Sequence, residues 1–385
     1  MEKECQVVFT GDIGFDRYMA RKWEDENLLS QDILAFFRSA DHVAVDVEGA
    51  LYRAEDDGSR GVFFHAMDPA AAALMNQIGA DIWCVGNNHI MDAGPEGMIS
   101  TRRTAEENNA KMFGAGESIR EASEPVYLPE AGGIGLISVA YLNECIPATE
   151  TSPGIFPWND MERIAARIRE IKSHCHWCVV VAHGGEEFSP MPMPFVRERY
   201  LQYLEFGADA VVALHPHVAE NYEILDNGKM IFYSLGNFIF DTDYQRAHLY
   251  TDSGVLLKLI FTEEKMCFEA MGTKIIRGEE KVVEGPLPDI FTNISADQYE
   301  LLAPLAAKAL VAEDSRKMIF LEPERFTNAP IDVWNGYFFS EEPDGYYKGQ
   351  HMDFGLIVPF SEKATKGEWM KSSLEKVKEY MIRLL

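Results

Sequence analysis

Hydrophobic positions as far as Leu214 fall into short, nearly uninterrupted runs. These are Gln6 to Thr10 (QVVFT), His42 to Val47 (HVAVDV), Asp81 to Val85 (DIWCV), Gly135 to Val139 (GLISV), Cys178 to Ala182 (CVVVA) and Ala210 to Leu214 (AVVAL). A strand with one wet face alternates, whereas runs like these belong to strands covered on both faces, which are usually parallel. The segments between them have helical texture. From about Asp160 to Ser173, Ile164, Ile168 and Ile171 line one face and Asn159 with Glu162 resembles a capping box. A second helix is predicted from Pro194, a good first-turn residue, to Gly207. Strand and helix alternating in this way predict an α/β fold.

The texture changes from Lys229 to about Val283, where MIFYSL, GVLLKLIF, MCFEAM and TKIIR follow one another between turn residues. These predict a second, largely antiparallel sheet portion. Turn chemistry at Glu284 to Pro288 (EGPLP) marks a boundary, so residues 1–285 read as one domain and 286–385 as an extension of unknown role. In the extension, Ser295 to Glu313 reads as helical despite Pro304. Met370, Leu374, Val377, Met381 and Leu384 give a terminal helix an apolar stripe suited to core packing. No internal repeat or low-complexity tract interrupts the chain.

A chain of 385 residues, 47% hydrophobic, has the means to bury a large core. No apolar run approaches the ~20 residues of a membrane span. MEKECQVVFTGDIG passes directly from a charged tetrapeptide into a strand, with no h-region. It therefore predicts a cytoplasmic protein, with cell-surface association only if a leader was removed. The net charge of -27 argues against nucleic acid or anionic lipid as partners and favours cations. The six cysteines form no disulfide framework and are expected to be reduced. Cys175 and Cys178 make a CxxC that follows a helix and enters a strand, the reverse of the redox motif.

The polar residues at the ends of five of these runs change the picture. QVVFT leads to Gly11 and Asp12, HVAVDV contains Asp46 and leads to Glu48, and DIWCV leads to Asn88 and His89. CVVVA leads to His183, and AVVAL to His215 and His217. Ligands of parallel α/β sheets bind outside the carboxyl ends of the strands, so these side chains are expected to converge. Any one of them alone reads as a cap or a satisfied buried histidine. Together they form a mixed nitrogen and oxygen set that favours Mn, Fe or Zn over Ca. The donors are too many for one tetrahedral ion and suit two divalent ions bridged by a carboxylate, the arrangement of metal-assisted hydrolysis.

The stretches FTGDIGFDR, VDVEGAL, NNHIMDAG, AHGGEEF, GADAVVALHPHV and YSLGNFIFD occur in the order of the motifs of the bacterial capsule-synthesis CapA family, which the chain resembles from residue 5 to about 242. That family is linked to poly-γ-glutamate capsules. The resemblance implies a calcineurin-like metallophosphoesterase fold, a four-layer α/β/β/α sandwich, here carrying a C-terminal α+β extension. By its motifs Asp12 and His217 hold one metal, Asn88, His183 and His215 the other, and Glu48 bridges. His89 becomes the general acid and Asp92 orients it. The resemblance also places Ser234, Gly236 and Asn237 on the rim, while Arg17, Asn87 and Glu187 are candidate substrate contacts, Glu187 alternatively completing a metal shell.

Two departures bear on chemistry. Gly14 stands where many metallophosphoesterases have a histidine, which leaves the Asp12 and His217 site one ligand short and predicts two sites of unequal affinity. Asp46 stands where related sequences have asparagine, and either Asp46 or Glu48 has the position to bridge. The expected activity is a metal-dependent hydrolase of the phosphoesterase type acting on an anionic small molecule or polymer. Two alternatives stay open: a non-catalytic polymer-binding component of capsule assembly or export, and a γ-glutamyl amide hydrolase.

Overall fold

A computed structural model describes residues 4–53, 63–141, 145–321 and 381–383. Two mixed sheets face each other with helices on their outer sides, an α/β sandwich of four layers. The first sheet runs in the order Lys281–Gly285, Met266–Ile276, Ser253–Phe261, Cys5–Ile13, His42–Val47, Ala80–Cys84, Lys111–Phe113. Its last four strands are parallel, and Asn237–Ile239 joins the far end of Cys5–Ile13 in parallel. The second sheet runs Tyr222–Ile224, Met230–Phe232, Ala210–Leu214, Trp177–His183, Ile134–Ala140, Val126–Leu128, with parallel pairing throughout its centre.

All six apolar runs are strands. Their side chains divide by parity, as the pleat requires. In the first sheet Val7, Phe9, Ala44, Ile82 and Cys84 enter the core between the sheets. Val8, Val43, Val45, Val47 and Trp83 enter a second core beneath helices Gln31–Arg38, Ala72–Gln77 and Gly94–Glu107. Helix Met161–His174 buries Ile164, Ile168 and Ile171 on the other side of the second sheet. Its cap is Asp160, whose side chain accepts from Arg163 N at 3.2 Å, one residue later than the capping box at Asn159 predicts. Helix Pro194–Glu205 opens on its proline.

The region from Lys229 to Val283 is largely antiparallel, as expected, in its strands Ser253–Phe261, Met266–Ile276 and Lys281–Gly285, but its placement differs from the sequence expectation. It builds no sheet of its own. Met230–Phe232 adds in parallel to the second sheet, and Ser253–Phe261 pairs antiparallel with Cys5–Ile13, continuing the first. MCFEAM and TKIIR merge into a single strand, Met266–Ile276, because the glycine between them, Gly272, lies against the backbone of Gly285 and Pro286 and does not turn.

Ile290, Phe291 and Ile294 join the large core around the second sheet, and helix Ala296–Leu321 follows them with Leu302, Leu305 and Ala309 buried in it. Of the terminal stripe, Met381 is buried in the same core. Met370, Leu374, Val377 and Leu384 lie outside the described residues. No described helix is long and apolar enough to cross a membrane.

Candidate metal centre

The carboxyl ends of the parallel strands in both sheets open at one end of the sandwich, and five of the six runs deliver a polar residue there. Asp12 is the penultimate residue of Cys5–Ile13 and is fully buried; Asp46, likewise penultimate in His42–Val47, is paired in register with it. Glu48 follows, also fully buried. From the second sheet, His183 closes its strand and His215 and His217 follow Leu214.

These side chains form one cluster. Glu48 Oε1 lies 3.7 Å from His183 Nε2 and 3.6 Å from His217 Nε2, and Asp12 Oδ2 is 3.2 Å from His217 Nδ1. Asp46 Oδ2 is 3.5 Å from His183 Nδ1. Asn88 Oδ1 reaches His183 Nε2 at 2.9 Å. Three overlapping groups have the spacing of metal ligands: Asp12, Glu48 and His217; Glu48, His183 and His215; and Asp12, Asp46 and His183. The first two share Glu48.

The electrostatics show what the cluster lacks. Asp46 Oδ2, both Glu48 oxygens, His183 Nδ1 and His215 Nδ1 are buried without a hydrogen bond. Burial, and next to it the charge of Asp12, pushes the carboxyls of Asp46 and Glu48 well above the usual range. Burial also lowers His183 to about 3 and holds His215 well below an ordinary imidazole. At His217 burial is outweighed by its bond to Asp12 and the pKa is raised. Neutral imidazoles and concentrated carboxylates with open lone pairs are the donor set of a divalent cation, and such a cation compensates the burial of these charges. The residues therefore fit the group.

Backbone strain marks the same place. His215 has φ +98° and His217 φ +58°, a left-handed region that side chains other than glycine seldom adopt. Strain of this kind gathers at functional sites, where surrounding structure holds it. Here His215 N donates to Asp12 Oδ1 at 3.4 Å and Phe188 N to Pro216 O at 2.8 Å, pinning the turn.

His89 stands at the edge of the cluster, its Nε2 3.9 Å from Glu48 Oε1 and its Nδ1 2.8 Å from Asp92 Oδ2. Asp92 accepts a hydrogen bond from Nδ1 and turns Nε2 toward Glu48. The same Asp92 oxygen accepts from His65 N at 2.8 Å; the His65 ring packs 4.4 Å from that of His89, and its Nδ1 meets Asp16 Oδ2 at 2.6 Å. Burial lowers the pKa of His65.

Sequence reasoning missed the Asp16 and His65 pair because His65 follows no strand-like run. Its one signal, a histidine after Phe63 and Phe64, reads as core.

Other expected contacts sit elsewhere than on a rim. Asn87 is fully buried, its amide donating to Val47 O at 2.7 Å and its carbonyl accepting from His89 N. Ser234 is fully buried and accepts from Gly236 N at 3.1 Å. Asn237 is buried and links His217 Nδ1 to Thr251 O. All three are as deep as the cluster's own side chains, and Asn237 reaches His217 because strand Asn237–Ile239 pairs against Cys5–Ile13, inside the fold. Glu187 does lie beside the centre, accepting from Tyr244 O–H at 2.7 Å. Arg17 is 40% exposed at its side chain, near Asp16 at 3.6 Å, and donates to Phe64 O. At Gly14 a Cβ would meet the Phe240 ring at 2.6 Å. That ring stacks on His217, so it fills the space a ligand at position 14 would need.

Residues 6–242 match the model of the bacterial capsule synthesis protein family. This chain belongs to that family. Among curated relatives it is 30% identical over 245 residues to the PGA biosynthesis protein CapA of Bacillus subtilis, covering 62% of this chain and 64% of that one. It is 25% identical over 257 residues to the capsule biosynthesis protein CapA of Bacillus anthracis, covering 64% and 62%. The matches thus span less than two thirds of the relatives' own length. Among solved structures, TT1561 of Thermus thermophilus aligns with a TM-score of 0.37 at 11% identity, covering 70% of this chain and 99% of that one. The capsule-synthesis match includes every residue of the centre described above, from Asp12 to Asn237.

Proposed function

We propose that this capsule-synthesis protein is a divalent-metal-dependent hydrolase of phosphoester type, acting on an anionic substrate of capsule metabolism. The observation that carries this reading is the buried cluster of Asp12, Asp46, Glu48, His183, His215 and His217, with carboxylate and imidazole atoms open toward one another. Asp12 and His217 would hold one ion, Asn88, His183 and His215 a second, and Glu48 both. Bound divalent ions polarise a phosphoryl or acyl centre and acidify water at neutral pH.

The chain's own residues do the rest. Asp92 orients the His89 ring through Nδ1, and His89 Nε2, on the cluster side, would deliver the proton that a leaving oxygen or nitrogen requires. His65 N donates to the same Asp92 oxygen and its ring packs edge-on against His89, so the donor keeps one orientation. Phe188 and Phe240 flank His217 and keep bulk water from that imidazole.

The relatives' names point to a poly-γ-glutamate capsule, and a γ-glutamyl amide would use the same groups with a nitrogen leaving group. A net charge of -27 opposes docking of a long polyanion, which favours a small or terminal anionic group bound at the cations. The test is turnover of a phosphomonoester, a phosphodiester and a γ-glutamyl peptide by metal-stripped and by Mn- or Zn-loaded protein. Metal-dependent hydrolysis of one class supports the reading and selects the substrate. Loaded protein inert toward all three, yet binding polymer, would replace it with an assembly role.

A further inference from the structure

At the opposite end of the sandwich the amino ends of the strands gather a second set of donors. Cys5, His42 and Glu130 each offer one ligand atom, all within 4.8 Å of one another. Cys5 opens strand Cys5–Ile13 and is fully buried, and His42 opens the neighbouring strand His42–Val47. Glu130 lies in the turn between Val126–Leu128 and Ile134–Ala140 of the other sheet. The cleft cluster is about 23 Å away, seven residues along the strand from Cys5 to Asp12 at ~3.3 Å each. The two sets share no residue.

We propose that Cys5, His42 and Glu130 form a separate zinc-class metal site that clasps the two sheets at this end. A thiolate, an imidazole and a carboxylate are a donor set of intermediate softness, which suits Zn or Fe(II) and not Mg or Ca. The histidine is already arranged for the task. Asp81 Oδ2 binds His42 Nδ1 at 2.6 Å, which leaves Nε2 pointing toward Glu130 Oε2 at 3.5 Å. A carboxylate on the far nitrogen is the usual companion of a metal-bound histidine, fixing tautomer and ring orientation. Asp81 is itself fixed, since its other oxygen accepts from Val43 N at 3.0 Å. The side chains of His42 and Glu130 each keep 19% of their surface open, so an ion has a path in. Three protein ligands leave the fourth tetrahedral position to water.

The site is independent of the proposed hydrolase, and Cys5 distinguishes it: the cleft's ligand groups hold no cysteine, Cys84 lying beside Asp46 but outside them. Metal-stripped full-length protein titrated with Co(II) is expected to develop a thiolate-to-cobalt charge-transfer band. Cys5→Ser abolishes it, whereas the double variant Cys175→Ser, Cys178→Ser keeps it. Asp81→Asn, which retains the oxygen that serves Val43, weakens zinc binding at this site roughly 10- to 100-fold, as expected for a residue that orients a ligand. Glu130→Gln, in a turn, gives the same direction if the Cys5 variant does not fold. Wild type without a thiolate band, a band that survives Cys5→Ser, or one that disappears with Cys175 and Cys178 would overturn the proposal.

Discussion

His89 and His183 lie in the same cluster with different partners, so single substitutions separate their roles. His89→Asn removes a proton donor held by Asp92 and leaves the carboxylates in place. Metal content is expected to stay while turnover falls roughly 10²- to 10⁴-fold. His183 is buried, meets Asn88, Asp46 and Glu48, and is held neutral by burial, so His183→Ala should lose metal and activity together in a metal analysis. Gly14→His is the informative gain. On the sequence expectation it would add a missing ligand, yet its Cβ would strike the Phe240 ring at 2.6 Å. Destabilisation of about 1–3 kcal/mol in denaturant unfolding is expected, with no tightening of metal binding, because an overpacked core must displace a ring stacked on His217. Tighter binding without loss of stability would show that Phe240 moves aside at little cost.

Among elements, the weak point is where strand Asn237–Ile239 meets the end of Cys5–Ile13. Gly11 faces the backbone of Gly236, and a Cβ there would fall 1.9 Å from the Gly236 carbonyl oxygen. A backbone carbonyl has no rotamer by which to escape. Gly11→Ala is therefore expected to cost on the order of 3 kcal/mol. It should also loosen metal binding, because pushing the strand away moves Asn237 off His217 and the Asp12 N–H off Gly236 O. Urea unfolding together with a metal titration checks both. Unchanged affinity would mean that His217 does not depend on Asn237 for its orientation. The element also explains a limit of sequence reading: SLGNF looks like a plain turn, and only pairing with a strand more than two hundred residues earlier makes it a brace.

At the scale of the whole molecule the cluster makes stability depend on pH and cation together. Asp46 and Glu48 have folded pKa values well above the ordinary 3.8 and 4.5. Their contribution is full below those ordinary values and is lost as pH rises through the raised ones. His183 and His215 act in the opposite sense: their folded pKa values lie below the ordinary 6.5, so their contribution is present above it and is lost as pH falls. A divalent cation relieves the first loss by pairing with the ionised carboxylates and must displace protons to bind at lower pH. The rise in melting temperature on adding Mn or Zn should therefore grow from about pH 5 to about pH 7.5. A gain independent of pH would place the bound ion away from Asp46 and Glu48. Helix Ala296–Leu321 joins this system: Glu313 Oε2 meets His248 Nδ1 at 2.7 Å, and the His248 ring stacks 3.7 Å from Phe188, which itself stacks on His217.

From the sequence alone, the strands and the polar residues that end them were legible, because a buried parallel strand must be apolar throughout and its carboxyl end is where polar side chains meet. Asp12, Glu48, Asn88, His183, His215 and His217 are found together for that reason. The motifs carried the family as well. Tertiary structure decided what no local pattern encodes: that Met230–Phe232 and Ser253–Phe261 join different sheets, that Phe240 occupies the space beside Gly14, and that Asp16 and His65 stand behind Asp92. It also brought Cys5, His42 and Glu130 together at the other end. Each of these depends on contacts between residues distant in the chain, and the spacing of hydrophobic positions specifies which face a side chain takes but not which partner meets it there.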